Sequence, residues 1–300
     1  SLYAPHKDFV YVIGDFNNWE INPDYLMKRT PDNNRYWLEI NGLTPQQEYI
    51  FQYFVDGYLR IADPYAEKIS DPWHDQYITQ ATYPGLKPYP VGKTTQIASY
   101  LQTAQVPYEW QVTDFVRPAK EDLVIYELLI RDFTSQHSYQ SVIDTLGYLK
   151  RLGVNAIELM PVMEFEGNNS WGYNPSFYFA PDKYYGPKNN LKKLIDACHE
   201  NGIAVILDIV LNHAYGQCPL VRLYAENMSQ NPWFNEVSPN PVYSWGYDFN
   251  HESQATKDFV DRVVTYWITE YKIDGYRFDF TKGFTNTPGD GWAYDQARIN

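Results

Sequence analysis

The feature that most constrains this chain is an alternation in its second half. Four short apolar runs, at residues 123–130, 154–160, 203–210 and 273–280, are separated by segments with helical spacing. The first run, LVIYELLI, is almost continuously apolar, as expected of a parallel strand covered on both faces. After it, Val142, Ile143, Leu146, Leu149 and Leu152 recur at helical spacing, and Gly153 follows as a stop. A second helix is expected over 191–200, ended by Asn201-Gly202. A third is expected over 254–271, with Phe259, Val260, Val263, Val264, Trp267 and Ile268 turned inward. Residues 161–188 read as a long loop and 214–252 as an irregular insert. Strand and helix in this order predict a parallel α/β sheet, either doubly wound or half of an eight-stranded barrel. Periodicity does not separate the two. The absence of Gly-x-Gly-x-x-Gly or a P-loop after the first run argues against a nucleotide-binding doubly wound sheet.

The first 85 residues have a different rhythm. Short strands are expected at 9–13, 35–40, 49–55 and 58–61, with Asp56-Gly57 as a hairpin turn that accepts positive φ. Strands of this length and spacing predict a β-sandwich. Residues 86–122 continue a stretch rich in Pro and Gly (Pro84, Gly85, Pro88, Pro90, Gly92, Pro107, Pro118) and read as a linker lying on its neighbours. The expected units are therefore a sandwich at 1–85, a linker at 86–122 and an α/β unit at 123–300.

Composition narrows the function. The chain has 300 residues, a formal net charge of −13 and a pI near 4.8, with no cluster of Lys and Arg. That excludes a dedicated nucleic-acid binder, which needs concentrated positive charge to neutralise phosphates. No apolar run approaches the roughly 18–20 residues of a membrane span. The first residues, SLYAPHKDFV, do not read as a secretory leader, and the compartment stays open. Cys198 and Cys218 form neither a disulfide framework nor a zinc signature. Aromatic residues make up 17% of the chain, and tyrosine dominates, with 28 against 15 phenylalanines. Rings with a polar tip suit surfaces that stack on sugars, although tyrosines also simply populate strands.

The polar residues gather where the strands of the α/β unit end. Glu158 and Asp208 lie within the second and third runs, Asn212-His213 ends the third, and Arg277 and Asp279 end the fourth. Trp171-Gly172-Tyr173-Asn174 lies in the loop after the second. In parallel α/β architectures ligands bind outside the carboxyl ends of the strands. Arg277 and Asp279 are two residues apart and so share one face of their strand. Taken singly, each group has a bland reading: a structural ion pair, a capped turn, a packed aromatic. Three polar clusters at successive strand ends point instead to a site.

These residues carry a resemblance. Asp208-Ile209-Val210-Leu211-Asn212-His213 and Gly275-Tyr276-Arg277-Phe278-Asp279 resemble, in order and spacing, two signatures of the α-amylase family of glycoside hydrolases. The segment WGYNP at 171–175 resembles the loop after that family's second strand. Val124-Ile125-Tyr126-Glu127 with Arg131-Asp132-Phe133 resembles its first strand. Val12-Ile13-Gly14-Asp15-Phe16-Asn17-Asn18-Trp19 is similar to the immunoglobulin-like sandwich, a carbohydrate-binding-type module, that precedes the barrel in branching enzymes, isoamylases and pullulanases. The resemblance implies the first half of a (β/α)8 TIM barrel, cut after about the fourth strand. It also implies retaining hydrolysis or transfer at α-1,4 or α-1,6 bonds of starch- or glycogen-type glucans.

Position by position, the resemblance makes Asp279 the nucleophile and Arg277 the guanidinium that favours its charged form. It gives His213 a hydrogen bond to the sugar at the cleavage point, Tyr173 a stacking contact with that sugar, and Asp208 a supporting role beneath. Trp171 and Lys282 join as substrate-binding residues. Where the family often has a histidine after that lysine, this chain has Gly283. Asn212 matches a position that holds structural calcium in some members; no convincing set of partner oxygens accompanies it, and no cofactor is otherwise required. The acid/base glutamate that the mechanism needs comes in the family from a fifth strand; after Asp279 the sequence holds only Asp290 and Asp295 as acids. The expectation is therefore a segment of a longer enzyme, inactive alone. The rival readings are a noncatalytic α-glucan-binding protein that kept the barrel, and an ancillary subunit of an amino-acid transporter.

Overall fold

The computed structural model describes residues 1–240 and 242–286. Eight strands occupy the N-terminal third: β1 (Leu2–Tyr3), β2 (Val10–Gly14), β3 (Lys28–Arg29), β4 (Arg35–Trp37), β5 (Glu48–Val55), β6 (Leu59–Ile61), β7 (Ile69–Ser70) and β8 (Ala98–Gln102). They form two antiparallel sheets, one in the order β1-β4-β3, the other β2-β5-β8-β7 with β6 also on β5. The period of two along β5 explains its place at the centre. Phe51, Tyr53 and Val55 face Leu2 and Tyr36 of the smaller sheet in one apolar cluster, while Ile50 and Phe54 join Ile13, Trp19 and Tyr100 in another.

The linker expected at 86–122 is corrected by β8. Ala98–Gln102 pairs with both β5 and β7, so these five residues belong to the larger sheet. Proline and glycine on either side mask a strand whose first residues, Ala98 and Ser99, are small. The segment after β8 runs along the α/β unit. Asp196 accepts hydrogen bonds from the Tyr108 hydroxyl and the amides of Gln111 and Val112, and Phe115 stacks on His199.

The α/β unit contains β9 (Ile125–Leu128), β10 (Ala156–Leu159), β13 (Ala204–Ile209) and β16 (Gly275–Phe278), all parallel. Their order in the sheet is sequential, without the reversal that defines a doubly wound sheet. Helices α1 (Ile130–Phe133) and α2 (Tyr139–Arg151) connect the first two strands, α3 (Lys188–Glu200) the next two, and α5 (Gln254–Tyr271) the last two. Ser138 caps α2 by accepting from the Ser141 amide. Among the described residues, β9 and β16 are the edges of this sheet. Residues 287–300 of the expected 123–300 unit lie outside the described residues. No described helix is long and apolar enough to cross a membrane.

The loop expected over 161–188 is also corrected. It folds into an antiparallel hairpin of β11 (Met163–Phe165) and β12 (Pro175–Pro181), with irregular register. The sequence hides it because β12 begins and ends in proline and is buried along its whole length, so no alternation shows. The 214–252 insert contains α4 (Pro219–Arg222) and is tied to the body by the short pair β14 (His213–Ala214) and β15 (Tyr247–Asp248).

Trp267 locks α5 onto the hairpin. It is fully buried, and its indole N–H donates to the Tyr178 carbonyl of β12 at 2.9 Å. Trp267→Ala removes a large buried ring and leaves that carbonyl unpaired. The expected loss is about 3–5 kcal/mol, read from the denaturant midpoint of unfolding.

Candidate active site

The site starts from register. β13 and β16 pair so that Asp208 lies opposite Arg277. Asp208 is fully buried, and the Arg277 Nη1 lies 3.1 and 3.2 Å from its two oxygens. The same Nη1 lies 2.7 Å from Oδ1 of Asp279, the first residue after β16. One guanidinium nitrogen thus joins a buried carboxylate to one at the mouth of the sheet.

Two further residues close around this triad. The Tyr173 hydroxyl donates to Asp208 Oδ2 at 2.7 Å. The Tyr173 carbonyl accepts from His213 Nε2 at 2.9 Å, which fixes the proton on Nε2. His213 Nδ1 is then a buried acceptor with no partner among the described residues. Tyr173 is held in place by its neighbour: a side chain on Gly172, at φ +93°, would sit 2.4 Å from the Pro161 carbonyl oxygen.

The charges follow from these contacts. Burial pushes the Asp208 carboxyl up to about 6, against the opposing pull of Tyr173 and Arg277. Burial works against the Arg277 charge, yet Asp279 and Asp208 together raise it above the ordinary arginine value. Burial lowers His213 below its ordinary value, consistent with a neutral imidazole. Burial, then the Asp208 contact, raises the Tyr173 hydroxyl, keeping it a donor.

Of the residues singled out from the sequence, the structure brings together Asp208, Arg277, Asp279, Tyr173 and His213. Trp171 is 59% exposed, two residues before Tyr173 on the same loop. Lys282 sits in the turn after Asp279, with Nζ 5.9 Å from the Tyr243 ring centroid. An aromatic group from the insert was not anticipated. Tyr243 and Trp245 pack on Phe280, which adjoins Asp279 and has φ +45°, a strained value for a phenylalanine. Its only sequence signal is the aromatic density of the insert.

The carboxylates of Glu127, Glu158 and Asp208 approach within 4.8 Å of one another, and burial followed by Glu127 raises the Glu158 carboxyl. Calcium fits poorly here. The Asn212 Oδ1 is buried with no partner among the described residues, as a ligand oxygen would be. However, the one close trio of acidic, histidine or cysteine donors among the described residues already gives its Asp208 to Arg277.

The raised Asp208 carboxyl has a consequence for stability. A folded-state value of about 6 against an ordinary 3.8 means that the folded protein holds this proton more tightly than the unfolded chain. The stabilisation from this group is fully present below pH 3.8 and is lost as pH rises through about 6. Between pH 4 and 7 the urea midpoint of the native protein should therefore fall relative to that of Asp208→Asn. A carboxyl carbon signal titrating near 6, absent from the variant, checks the assignment.

Residues 134–241 match the model of the α-amylase catalytic domain. The chain is 38% identical over 187 residues to a malto-oligosyltrehalose trehalohydrolase of Saccharolobus solfataricus, covering 61% of this chain and 32% of that protein. It is 30% identical over 292 residues to the 1,4-alpha-glucan branching enzyme GlgB of Bacillus subtilis, covering 93% of this chain and 43% of the enzyme. Among solved structures, the catalytic module of the multi-modular glycogen-degrading pneumococcal virulence factor SpuA superimposes with a TM-score of 0.69 at 26% identity, covering 94% of this chain and 44% of that one. The chain thus spans less than half the length of each of these relatives. The family model and the sequence and structure matches lead to one assignment: the chain belongs to the α-amylase family of glycoside hydrolases.

Proposed function

We propose that the protein carrying this chain is a retaining α-glucan hydrolase or transglycosylase, acting on α-1,4 or α-1,6 bonds of starch- or glycogen-type substrates with Asp279 as nucleophile. The observation that carries the reading is the single Arg277 nitrogen shared between buried Asp208 and Asp279. It orients the Asp279 carboxylate and neutralises its charge until a cationic sugar carbon approaches. The names of the relatives, a branching enzyme and a trehalohydrolase, support an α-glucan substrate.

In the proposed reaction Asp279 attacks the anomeric carbon, and the bond from that carbon to the bridging oxygen breaks. A carboxylic acid protonates the departing oxygen, and a glycosyl ester forms on Asp279. Water, or a hydroxyl of a second glucan, then attacks the same carbon and gives its proton to the acid's conjugate base, freeing Asp279. Tyr173 offers its ring face to the reacting sugar, and His213, whose Nε2 is held by the Tyr173 carbonyl, backs it. The proton donor is placed on a fifth strand of a complete (β/α)8 barrel, in which β9, β10, β13 and β16 are the first four. Retention requires it about 5–5.5 Å from Asp279. The N-terminal sheets are read as an immunoglobulin-like module of the carbohydrate-binding type that braces this barrel. Trp171 and Lys282 are placed on the glucan path.

Asp279→Asn in the full-length protein keeps the shape and removes the nucleophile. Turnover of maltooligosaccharides should fall by about 10⁴-fold or more. A variant that retains turnover would refute the assignment. Glucan binding without turnover in the unaltered protein would support a noncatalytic binding role instead. Product analysis on amylose and pullulan separates hydrolysis, debranching and branching.

A further inference from the structure

Tyr173 reaches the site from a loop, and not all of its support comes from the α/β unit. It sits on the 166–174 loop between β11 and β12. Within the loop, the Asn174 side chain donates to the Glu166 carbonyl at 3.0 Å, and the Gly172 amide donates to Ser170 Oγ at 3.0 Å. Further ties lead out to a turn at 71–77, which leaves the edge strand β7 of the N-terminal module. The Asn168 side chain donates to the His74 carbonyl at 3.0 Å, next to Gly167. At the root of the hairpin, Lys183 follows β12 and is almost fully buried. Its ammonium pairs with Glu164 of β11 and, at 3.3 Å, with Asp75 of the turn.

The turn is itself tightly organised. Asp71 Oδ1 accepts from the amides of Trp73 and His74 at 2.7 and 3.2 Å, and its Oδ2 lies 2.9 Å from His74 Nδ1. The Asp71 amide donates to Asp75 Oδ2 at 2.9 Å. One compact turn therefore grips the hairpin at two places, near the loop and at its root. From the loop the chain of contacts continues through Tyr173 to Asp208 and His213, and from Asp208 to Arg277 and Asp279. A buried bridge such as Lys183–Asp75 adds little net stability, but parting its members would leave a buried charge uncompensated, which keeps turn and hairpin together.

We propose that the 71–77 turn of the N-terminal module is a positioning element of the catalytic site: through Asn168 and Lys183 it holds the hairpin that presents Tyr173, and Asp71 and Asp75 are positioning residues for the reaction. This rests on the α-glucan hydrolase or transglycosylase reading above. The module then contributes to turnover without touching substrate, since displacement of a substrate-orienting group by about 1 Å can cost up to about 10²-fold in rate.

A double-mutant cycle on the full-length enzyme tests this, with kcat and KM measured on a maltooligosaccharide. Asp71→Ala should lower kcat/KM about tenfold when Tyr173 is present and less than about twofold in a Tyr173→Ala background, because there is no longer a ring to position. Asp71→Asn, which keeps an oxygen for the two amides, should recover activity to within about threefold of the unaltered enzyme. Where Asp71→Ala does not fold, Asn168→Ala removes only the bond to the His74 carbonyl and enters the same cycle with the same expectation. Equal fold losses in both backgrounds, or a fall in Tm without any loss of kcat/KM, would overturn the proposal. Asp279→Asn is run alongside: if it inactivates while the cycle is additive, positioning alone fails, and if it leaves turnover intact, the catalytic reading fails first.

Discussion

The arrangement depends on burying one carboxylate. Asp208 lies at full burial in a central parallel strand, where an unpaired charge would be very costly. Its partners offset part of that cost: Arg277 across the register and the Tyr173 hydroxyl from the hairpin. The pairing engages both Asp208 oxygens, and the same Arg277 Nη1 also orients Asp279. Removing Arg277 would leave Asp208 buried without its counter-charge, the costly way to break a buried pair. The site geometry is thus a by-product of satisfying one buried acid.

The same logic explains why the two halves of the chain behave as one body. The apolar cluster that fills the space between the N-terminal sheets runs on through β10, β13, the hairpin and α5. The segment after β8 is pinned to α3 by Asp196, and Arg117 pairs with Asp274 beside β16. The boundary between modules is crossed by packing, by hydrogen bonds and by buried ion pairs. The catalytic unit is therefore shaped in part by residues with no role in chemistry.

Much of this was legible in the sequence where local pattern and structure coincide. The strands around Ala156–Leu159 and Ala204–Ile209 are buried on both faces and read as apolar runs, and the helix at Tyr139–Arg151 shows its period plainly. The cluster of Asp208, His213, Arg277, Asp279 and Tyr173 was foreshadowed by polar residues at strand ends. What stayed hidden has physical causes. The hairpin strand Pro175–Pro181 is covered on both faces and bounded by proline, so neither alternation nor propensity marks it. Ala98–Gln102 is a short strand whose partners lie some 50 and 30 residues earlier in the chain. The grip of Asp71 and Asp75 on the Tyr173 loop is likewise a long-range contact with no motif of its own. Between an unpatterned turn and a loop far along the chain, only the three-dimensional arrangement shows the connection.

The central claim is that Asp279 forms a bond to sugar. The most direct measurement is intact-protein and peptide mass spectrometry of the full-length enzyme after incubation with a fluorinated α-maltosyl fluoride, which forms the glycosyl ester quickly and releases it slowly. The account predicts a stoichiometric mass increase on the peptide containing Asp279, and none in Asp279→Asn. A label on any other carboxylate, or steady glucan turnover with no trapped ester, would contradict it.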